Sequence, residues 1–317
     1  MIILLEHLMS TELPVSVTLL ANAKINLFLD ITGRLPGGYH SVSTVMQSVT
    51  LADRVSVSRS SYHSGIQITF TPDTACLPTD RANTAYRAAE AFFDATGEAF
   101  GIDVAIEKHI PQKAGMGGGS ADAAAVLTAL NILSGGPLDA AELLACGAEV
   151  GADVPFCVAG GCRLCGGKGE TVGGRLRPAS LFFLIMKPDA GISTPAAYAA
   201  LDAKYPSFSG RGADPSGLIE AIRAGDRPGT ASRLYNIFEE VLEEGCPEAF
   251  GMLSFLKSFS MGSGLCGSGS AVYAAFLTKE SAERAERLAA KRFPGAFTSV
   301  CRGTGHGVEF PTAGRAL

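Results

Sequence analysis

One glycine-rich segment places the tightest limit on how this chain folds. Residues 111–125 read PQKAGMGGGSADAAA, with four glycines in five positions ahead of a serine and an alanine-rich run. The preceding residues 101–108 alternate apolar and polar side chains, which predicts a strand, and the alanine run predicts a helix over about 118–133. A strand, a glycine loop and a helix N-terminus together present backbone N–H groups and a positive dipole end to an anion. The segment predicts a phosphate-binding loop, with an unliganded helix start as the alternative.

The details of this loop exclude two common nucleotide-binding motifs. A Walker loop has lysine and then serine or threonine after its last glycine, whereas here Ser120 follows directly and Lys113 precedes the glycines. A dinucleotide fingerprint needs a following βαβ unit with an acidic residue about 20 positions on. The helix after Ser120 instead runs to the sequence NILSG without such a strand.

Composition limits the partners that this chain can have. The 317 residues, 47% hydrophobic and 18% charged, suffice for two modest domains with separate cores. The net charge of −5 gives no global attraction for nucleic acid or an anionic membrane, so an anionic substrate requires local positive groups. Residues 1–9 are apolar but too short to span a bilayer, and Met9 is an alternative start to Met1. We therefore expect no nucleic-acid or membrane partner.

The eight cysteines favour buried free thiols in a reducing, cytoplasmic compartment. Cys162 and Cys165 have the spacing of a zinc knuckle, but no second pair accompanies them. They also fall in the segment 156–166, which we interpret as a strand, where positions three apart face opposite ways. The prediction is that the chain has no metal-ligand cluster.

The remaining pattern predicts mixed helices and strands. Residues 15–32 and 42–59 are predicted strands, and Pro155 predicts an extended segment from residue 151 because the residue before proline disfavours helix. A polar stretch over 205–217 is a predicted loop. Other helices are predicted from residue 83 and near 139–150, 230–244, 247–258 and 279–292, with strands near 181–188, 271–277 and 297–302.

Two further positions suggest chemistry beside the phosphate loop. Lys24 and Asn26 fall on one face of an apolar strand, where a lysine is unfavourable unless it is paired or catalytic. Asp153 lies between small residues, as a turn former or as a positioned base. A lysine reaching solvent and a turn-forming aspartate are the alternatives. Together the two would suit phosphoryl transfer, in which the aspartate accepts a hydroxyl proton and the lysine stabilises charge.

These motifs, in this order, resemble the GHMP kinase superfamily. Its general glycine motif is Pro-x-x-x-Gly-Leu-Gly-Ser-Ser-Ala, and residues 111–121 match it with an extra glycine, with Met116 for leucine and Ala121 for serine. The triple glycine is similar to one branch, whose members phosphorylate a cytidine diphosphate-linked polyol. That resemblance also rests on AKINLFL at 23–29, GGYH at 37–40, GADVPF at 151–156 and GSGSAV at 267–272.

The resemblance implies an α+β fold of two subdomains. The N-terminal part would be similar to the second domain of ribosomal protein S5, the C-terminal part ferredoxin-like, and the active site would lie between them. The implied division is an N-terminal extension over 1–17, an ATP-binding domain over 18–178 and a C-terminal domain over 179–317.

The same resemblance implies roles for individual residues. Lys24 and Asp153 would be the catalytic pair, Asn26 would bind the polyol, and Tyr39 and His40 would hold the cytosine. Taken alone, Tyr39 and His40 would more often be a surface turn. The ATP site would consist of Pro111, Gln112, Lys113, Ala114, Gly115, Met116, Gly117, Gly118, Gly119, Ser120 and Ala121, with Asn83 and Lys108 near the adenine.

ATP and Mg²⁺ are the implied cofactors, with Ser120 as the candidate contact to phosphate or Mg²⁺. The implied partner is one small molecule, the cytidine diphosphate-linked polyol, and we expect a monomer or a weak homodimer. One alternative is another GHMP kinase, of the homoserine or mevalonate type, against which the 37–40 turn and the triple glycine argue. The other is a non-catalytic nucleotide sensor, against which the presence of both Lys24 and Asp153 argues.

Overall fold

Two β-sheets, each covered by helices, organise the chain. The computed structural model describes residues 13–72, 77–205 and 212–312. Most of the predicted extension over 1–17, and the central part of the loop predicted over 205–217, lie outside these residues. The rest of the chain forms an α+β fold, as predicted.

A long hairpin forms the centre of the first sheet. Strands β1 (Ser16–Arg34) and β2 (His40–Arg59) pair antiparallel along almost their whole length, with irregular register at three points. The other strands are β3 (Ile66–Thr71), β4 (Ile102–Glu107), β5 (Cys162–Gly166) and β6 (Thr171–Leu176). β4 pairs with β2 and, in parallel, with β3, while β5 pairs with β2 and β6.

Four helices belong to this first unit: α1 (Thr84–Thr96), α2 (Gly118–Leu133), α3 (Ala140–Val150) and α4 (Val154–Ala159). The central one, α2, is buried on nearly all sides, and its Ala121, Ala123 and Ala124 are fully inaccessible to solvent. A helix that is apolar all round belongs inside the core, and alanine lets neighbouring backbones come close. The glycine loop is therefore attached to a helix that lies inside the core.

The second unit contains a four-stranded antiparallel sheet. Its strands are β7 (Phe182–Lys187), β9 (Gly262–Leu265), β10 (Val272–Phe276) and β11 (Phe297–Arg302). Across the sheet they lie in the order β11-β7-β10-β9. Its helices are α5 (Thr194–Lys204), α6 (Ser216–Ala224), α7 (Arg227–Ala231), α8 (Leu242–Gly245), α9 (Pro247–Lys257) and α10 (Lys279–Arg292). A second core lies mainly between this sheet and α5, α9 and α10.

Strand β1 connects the two halves of the chain. The short strands β8 (Tyr235–Asn236) and β12 (Val308–Glu309), which come late in the sequence, both pair with β1. The C-terminal half thus returns to the strand that carries Lys24 and Asn26. The domain boundary near residue 178 stays a prediction.

Two predicted elements are wrong. The segment after residue 151 is not extended, because Val154–Ala159 forms α4 with Pro155 in its first turn. Proline is tolerated there, since the N–H that it lacks would have no partner within the helix. The strand predicted over 156–166 accordingly begins only at Cys162. The helix predicted over 230–244 is interrupted by β8 and by a 3₁₀ segment, Ile237–Val241.

The cysteines of the described residues are buried and free. Burial raises the pKa of both Cys162 and Cys165 to about 12, so their thiols stay protonated at neutral pH. Among the residues that the structure describes, no helix is long and apolar enough to cross a bilayer.

Candidate active site

The glycine loop begins after β4 and ends at Gly118, the first residue of α2. Its carbonyl groups accept hydrogen bonds from other parts of the protein. The backbone N–H groups of Lys24, Ser270 and Ala271 donate to the carbonyl oxygens of Met116, Lys113 and Ala114, over 2.9, 3.4 and 3.2 Å. Gly115 lies so close to Cys266 that a Cβ there would stand 1.8 Å from its carbonyl oxygen. The loop is thus held from behind by β1 and by residues 266–271.

Two cavities meet at this loop. The larger cavity, of about 740 Å³, is lined by Lys24, Asn26, Asp153 and Ser120 as well as by residues of the C-terminal half. The smaller cavity, of about 310 Å³, is lined by Asn83, Lys108 and the loop residues from Ile110 to Gly119. Gly115 and Gly117 line both. The predicted catalytic and phosphate-loop residues therefore lie where two binding spaces join.

Lys24 and Asn26 lie on one face of β1, as the alternation predicted. The Lys24 ammonium donates to Asn26 Oδ1 over 3.0 Å and lies 3.4 Å from Asp153 Oδ2. Asn26 Nδ2 donates to Thr44 Oγ1, and that hydroxyl donates to the carbonyl of Phe28. Lys24 is only 5% exposed, so this network is what compensates its buried charge.

Asp153 precedes α4 as its N-cap residue, yet its side chain makes no capping hydrogen bond. The carboxylate is about one third exposed and faces the Lys24 ammonium on the wall of the larger cavity. A turn former would use its oxygens on the neighbouring backbone N–H groups. Asp153 therefore does not cap α4 with its side chain, and its role as a base stays a prediction.

Tyr39 and His40 line the larger cavity at the start of β2, but in different environments. Tyr39 is 55% exposed, and the Lys168 ammonium lies 3.8 Å from the centre of its ring. His40 is buried, stacks on Tyr198 with ring centres 4.7 Å apart, and its Nε2 lies 2.9 Å from Asp202 Oδ1. The imidazole is therefore fixed in orientation, while the phenol is accessible.

Sequence reasoning missed several residues of this site. Tyr198 and Asp202 lie one turn apart on α5, a helix that the pattern analysis did not predict. Its signal was present in Ser193, which caps the helix by accepting a hydrogen bond from Ala196 N, and in Pro195 in its first turn. Burial raises the pKa of Tyr198 to about 12, which keeps its phenol neutral.

The glycine and serine run at 261–270 also reaches the site. The Gly267 backbone N–H donates to Asn26 Oδ1 over 2.9 Å, and the Ser268 hydroxyl lies 3.0 Å from Thr194 Oγ1. Asn236 Nδ2 donates to the carbonyls of both Leu265 and Gly267 over 2.8 Å. In the sequence this run contributes only the motif GSGSAV at 267–272 to the family resemblance, which does not indicate where the run lies.

Asn83 and Lys108, predicted near an adenine, line the smaller cavity but already have partners in the protein. Asn83 caps α1 by accepting from Ala85 N and also donates to the carbonyl of Pro78. The Lys108 ammonium contacts the carboxylates of Asp53 and Asp122. Their predicted roles as nucleotide contacts stay predictions.

Two family profiles match the chain. The GHMP kinases N terminal domain matches residues 83–161, which contain the glycine loop and Asp153. The GHMP kinases C terminal domain matches residues 218–295, which contain the second glycine run. Together the two matched ranges cover slightly less than half of the chain, and one lies in each half.

Related proteins sharpen the assignment. The chain is 41% identical to the 4-diphosphocytidyl-2-C-methyl-D-erythritol kinase of Desulfitobacterium hafniense (strain Y51) over 84% of this chain and 90% of that one. It is 40% identical to the kinase of the same name from Synechococcus sp. (strain JA-2-3B'a(2-13)), over 87% and 90%.

Solved structures show the same relationship. A crystal structure of 4-(cytidine 5'-diphospho)-2C-methyl-D-erythritol kinase matches with a TM-score of 0.74 and 31% identity, over 91% of this chain and all of that one. The homoserine kinase of Cytophaga hutchinsonii matches with a TM-score of 0.75 at only 21% identity, over 95% and 98%, which shows the shared fold. The chain belongs to the GHMP kinase family, and within it to the group of the 4-diphosphocytidyl-2-C-methyl-D-erythritol kinases.

Proposed function

We infer that this chain transfers the γ-phosphoryl group of ATP to the 2-hydroxyl of 4-diphosphocytidyl-2-C-methyl-D-erythritol, giving the 2-phosphate and ADP. One observation carries the proposal: the Lys24–Asp153 pair lines the larger cavity directly beside Gly117, which lines both cavities. A Cβ on Gly117 would stand 3.0 Å from Lys24 Cγ and 3.8 Å from Asp153 Oδ2. A kinase needs this arrangement, because the donor and the acceptor must meet at the charges that assist the transfer.

In this proposal Asp153 accepts the proton of the attacking hydroxyl. Its carboxylate is accessible from the larger cavity and is not used as a helix cap. Lys24 stabilises the negative charge on the transferred group and holds Asp153 in place across the 3.4 Å contact. Asn26 fixes the Lys24 ammonium by accepting its hydrogen bond, and lies where it can also contact the polyol.

ATP would occupy the smaller cavity, with its phosphates at the glycine loop and at the start of α2. The loop carbonyls face the protein interior through their hydrogen bonds, and the first turn of a helix has unpaired N–H groups for an anion. Mg²⁺ would be held mainly by the phosphates, with the Ser120 hydroxyl beside the loop as its candidate protein ligand. It would neutralise phosphate charge.

The cytidine diphosphate end of the acceptor would lie at the far side of the larger cavity. Tyr39 offers an accessible ring for stacking, and His40 offers an imidazole held by Asp202. Lys168 is exposed beside Tyr39 and supplies a local positive charge for the diphosphate in a chain of net charge −5. We also propose that the enzyme works in the cytoplasm as a monomer or weak homodimer.

Other GHMP kinases provide the alternative substrates, since homoserine and mevalonate kinases have the same fold. The test is ADP release measured against the diphosphocytidyl alcohol, mevalonate, homoserine and galactose, with mass spectrometry and ³¹P NMR of the product. We expect turnover of the first alone and a new phosphomonoester at its 2-hydroxyl. Faster turnover of any other acceptor would overturn the assigned substrate.

A further inference from the structure

A buried cluster of three charged side chains lies beside the smaller cavity. The Lys108 ammonium donates to Asp53 Oδ2 and, over 2.7 Å, to Asp122 Oδ2. The exposed fraction of the side chain is 9% for Lys108, 0% for Asp53 and 6% for Asp122. Burying three charged groups is unfavourable unless each one has specific partners. A role that requires these three side chains together would explain why they are buried here.

The cluster joins the two ends of the glycine loop. Asp53 Oδ1 accepts the backbone N–H groups of His109 and Ile110 over 2.6 and 2.8 Å, directly before the loop begins at Pro111. Asp122 stands on α2, directly after the loop ends. Lys108 bridges the two carboxylates, so three elements, β2, the end of β4 and α2, are fixed to one another around residues 111–117.

The loop also packs against the residues that this cluster holds. A Cβ on Gly118 would stand 3.1 Å from Ile110 Cγ2 and 3.7 Å from the Lys108 ammonium. A shift of the backbone at residues 108–110 would therefore be transmitted to the first turn of α2. That turn is where the phosphates of ATP would bind.

The surroundings of the cluster shift the pKa of two of its members. Burial, followed by the nearby charge of Asp53, raises the pKa of Asp122 to about 8. Burial alone would lower the pKa of Lys108, but the charges of Asp122 and Asp53 outweigh it, so that pKa is raised and the ammonium stays charged.

We propose that Asp53, Lys108 and Asp122 form a clamp that holds the glycine loop in its ATP-binding geometry, and that Lys108 is a positioning residue and not a nucleotide ligand. The proposal rests on ATP binding at this loop. It assigns to Lys108 a role different from the adenine contact that the family resemblance implied.

The test compares Asp122→Asn with Asp122→Ala. Asparagine keeps an oxygen for the Lys108 ammonium, whereas alanine removes it. We expect Asp122→Ala to raise the Kd for ATP about tenfold, the change that follows from losing one charge-assisted hydrogen bond, and Asp122→Asn to change it by less than about threefold. The KM for the acceptor and kcat at saturating ATP should stay near wild type in both. The Kd values for ATP and GTP should rise by the same factor, because the clamp acts on the phosphate loop and not on the base.

Three results would overturn the clamp. Unchanged ATP affinity in folded Asp122→Ala, with only a lower Tm, would show a purely structural role. Weaker ATP binding in Lys108→Met with normal binding in Asp122→Ala would make Lys108 a direct ligand. Equal losses in Asp122→Asn and Asp122→Ala would mean that an oxygen accepting from Lys108 does not restore the loop, so the hydrogen-bonded clamp would be wrong.

A loop variant separates this proposal from the assigned ATP site. Gly119→Val changes the loop without touching the cluster, because the atom nearest to the Cβ that it adds is Thr84 Oγ1, at 2.9 Å. If it binds ATP normally, the phosphates lie elsewhere and both proposals fail. If it loses ATP and Asp122→Ala does not, only the clamp fails. Should Lys108→Met not fold, the Asp122 pair still decides, because each of its variants keeps the Lys108–Asp53 contact.

Discussion

The two glycine-rich loops of this enzyme have similar composition and different roles. The first, residues 111–119, leads into α2 and lines both cavities. The second, residues 262–270, ends β9 and turns into β10, with no helix behind it. The two pack against each other, since a Cβ on Gly115 would meet the Cys266 carbonyl and a Cβ on Gly267 would meet the Gly115 carbonyl at 2.8 Å.

What distinguishes the two loops is the element that follows each glycine run. A helix N-terminus adds unpaired N–H groups and a positive dipole end, so the first loop can bind an anion. The second loop has its carbonyls fixed by Asn236 and donates the Gly267 N–H to Asn26, so it supports the catalytic strand. A glycine-rich segment therefore indicates that a ligand or another backbone segment lies close to it. The helix or strand that follows the segment decides which of the two this is.

The largest expected effect belongs to Asp153, beside the first loop. Asp153→Asn keeps the shape of the side chain and removes its basicity, so we expect kcat to fall by about 10²- to 10⁴-fold. Affinities for ATP and the acceptor should change by no more than a few-fold, because both loops are intact. Steady-state kinetics of the variant measure this, with Asp94→Asn, exposed on α1, as the control. Near-normal kcat would make Asp153 a turn former.

A change in the second loop should lower kcat by a larger factor than it weakens ATP binding. Gly267 has φ of +52°, and a Cβ there would lie 3.2 Å from the Lys24 ammonium. Gly267→Ala should displace Lys24 and lower kcat by about 10- to 100-fold, since small misplacements of reacting groups carry effects of this size. The same Cβ would stand 2.8 Å from the Gly115 carbonyl oxygen, so we expect the Kd for ATP to rise as well, by a smaller factor than kcat falls.

Gly174→Ala is the matched control for that variant, because nothing lies within 4 Å of the Cβ that it would add. Circular dichroism establishes that both proteins are folded before kinetics are compared. A Gly267→Ala enzyme with weaker ATP binding and unchanged kcat would show that the two loops share one role.

A change in the first loop should weaken ATP binding by a larger factor than it lowers kcat. In Gly118→Val the branched side chain would crowd Ile110, whose Cγ2 would lie 3.1 Å from the added Cβ, and would displace the first turn of α2, where we propose that the phosphates bind. Hydrogen bonds to charged groups are worth about 1.5–3 kcal/mol, so losing one should raise the Kd for ATP by about 10- to 150-fold. Calorimetry measures it, with Gly251→Val on α9, which has open space around it, as the control.

The first loop shows how far sequence reasoning reaches. The predicted helix start at Gly118 and the shared face of Lys24 and Asn26 are confirmed, because both follow from local periodicity. The ends of strands β1 and β2 were also predicted to within two residues. Local pattern was sufficient wherever the determining contacts lie within a few residues along the chain.

Other features depend on contacts between distant residues, which local pattern does not contain. Asp53 lies 55 residues before Lys108, so no local pattern connects the two. Pro155 was read through its effect on Val154, but the first turn of a helix accommodates proline, and α4 forms there. The second loop reaches Asn26 across 241 residues, and only the fold brings them together.

The smallest effects should come from the matched serines of the two loops. Ser120 stands in the first turn of α2 and lines the larger cavity, and Ser268 shares a hydrogen bond of 3.0 Å with Thr194 at the start of α5. A neutral hydrogen bond contributes about 0.5–1.5 kcal/mol, so each alanine variant should weaken one ligand by about 2- to 13-fold.

The ligand affected should differ between the two serines. Ser120→Ala should raise the Kd for Mg²⁺-ATP and leave the acceptor KM unchanged, because its hydroxyl lies beside the phosphate loop. Ser268→Ala should raise the acceptor KM and leave ATP binding unchanged, because α5 carries Tyr198 and Asp202, which hold His40. Each variant is the control for the other in paired calorimetry and kinetics. If both serines affected the same ligand, the division of roles between the loops would be wrong, and the two glycine runs would act as one binding surface.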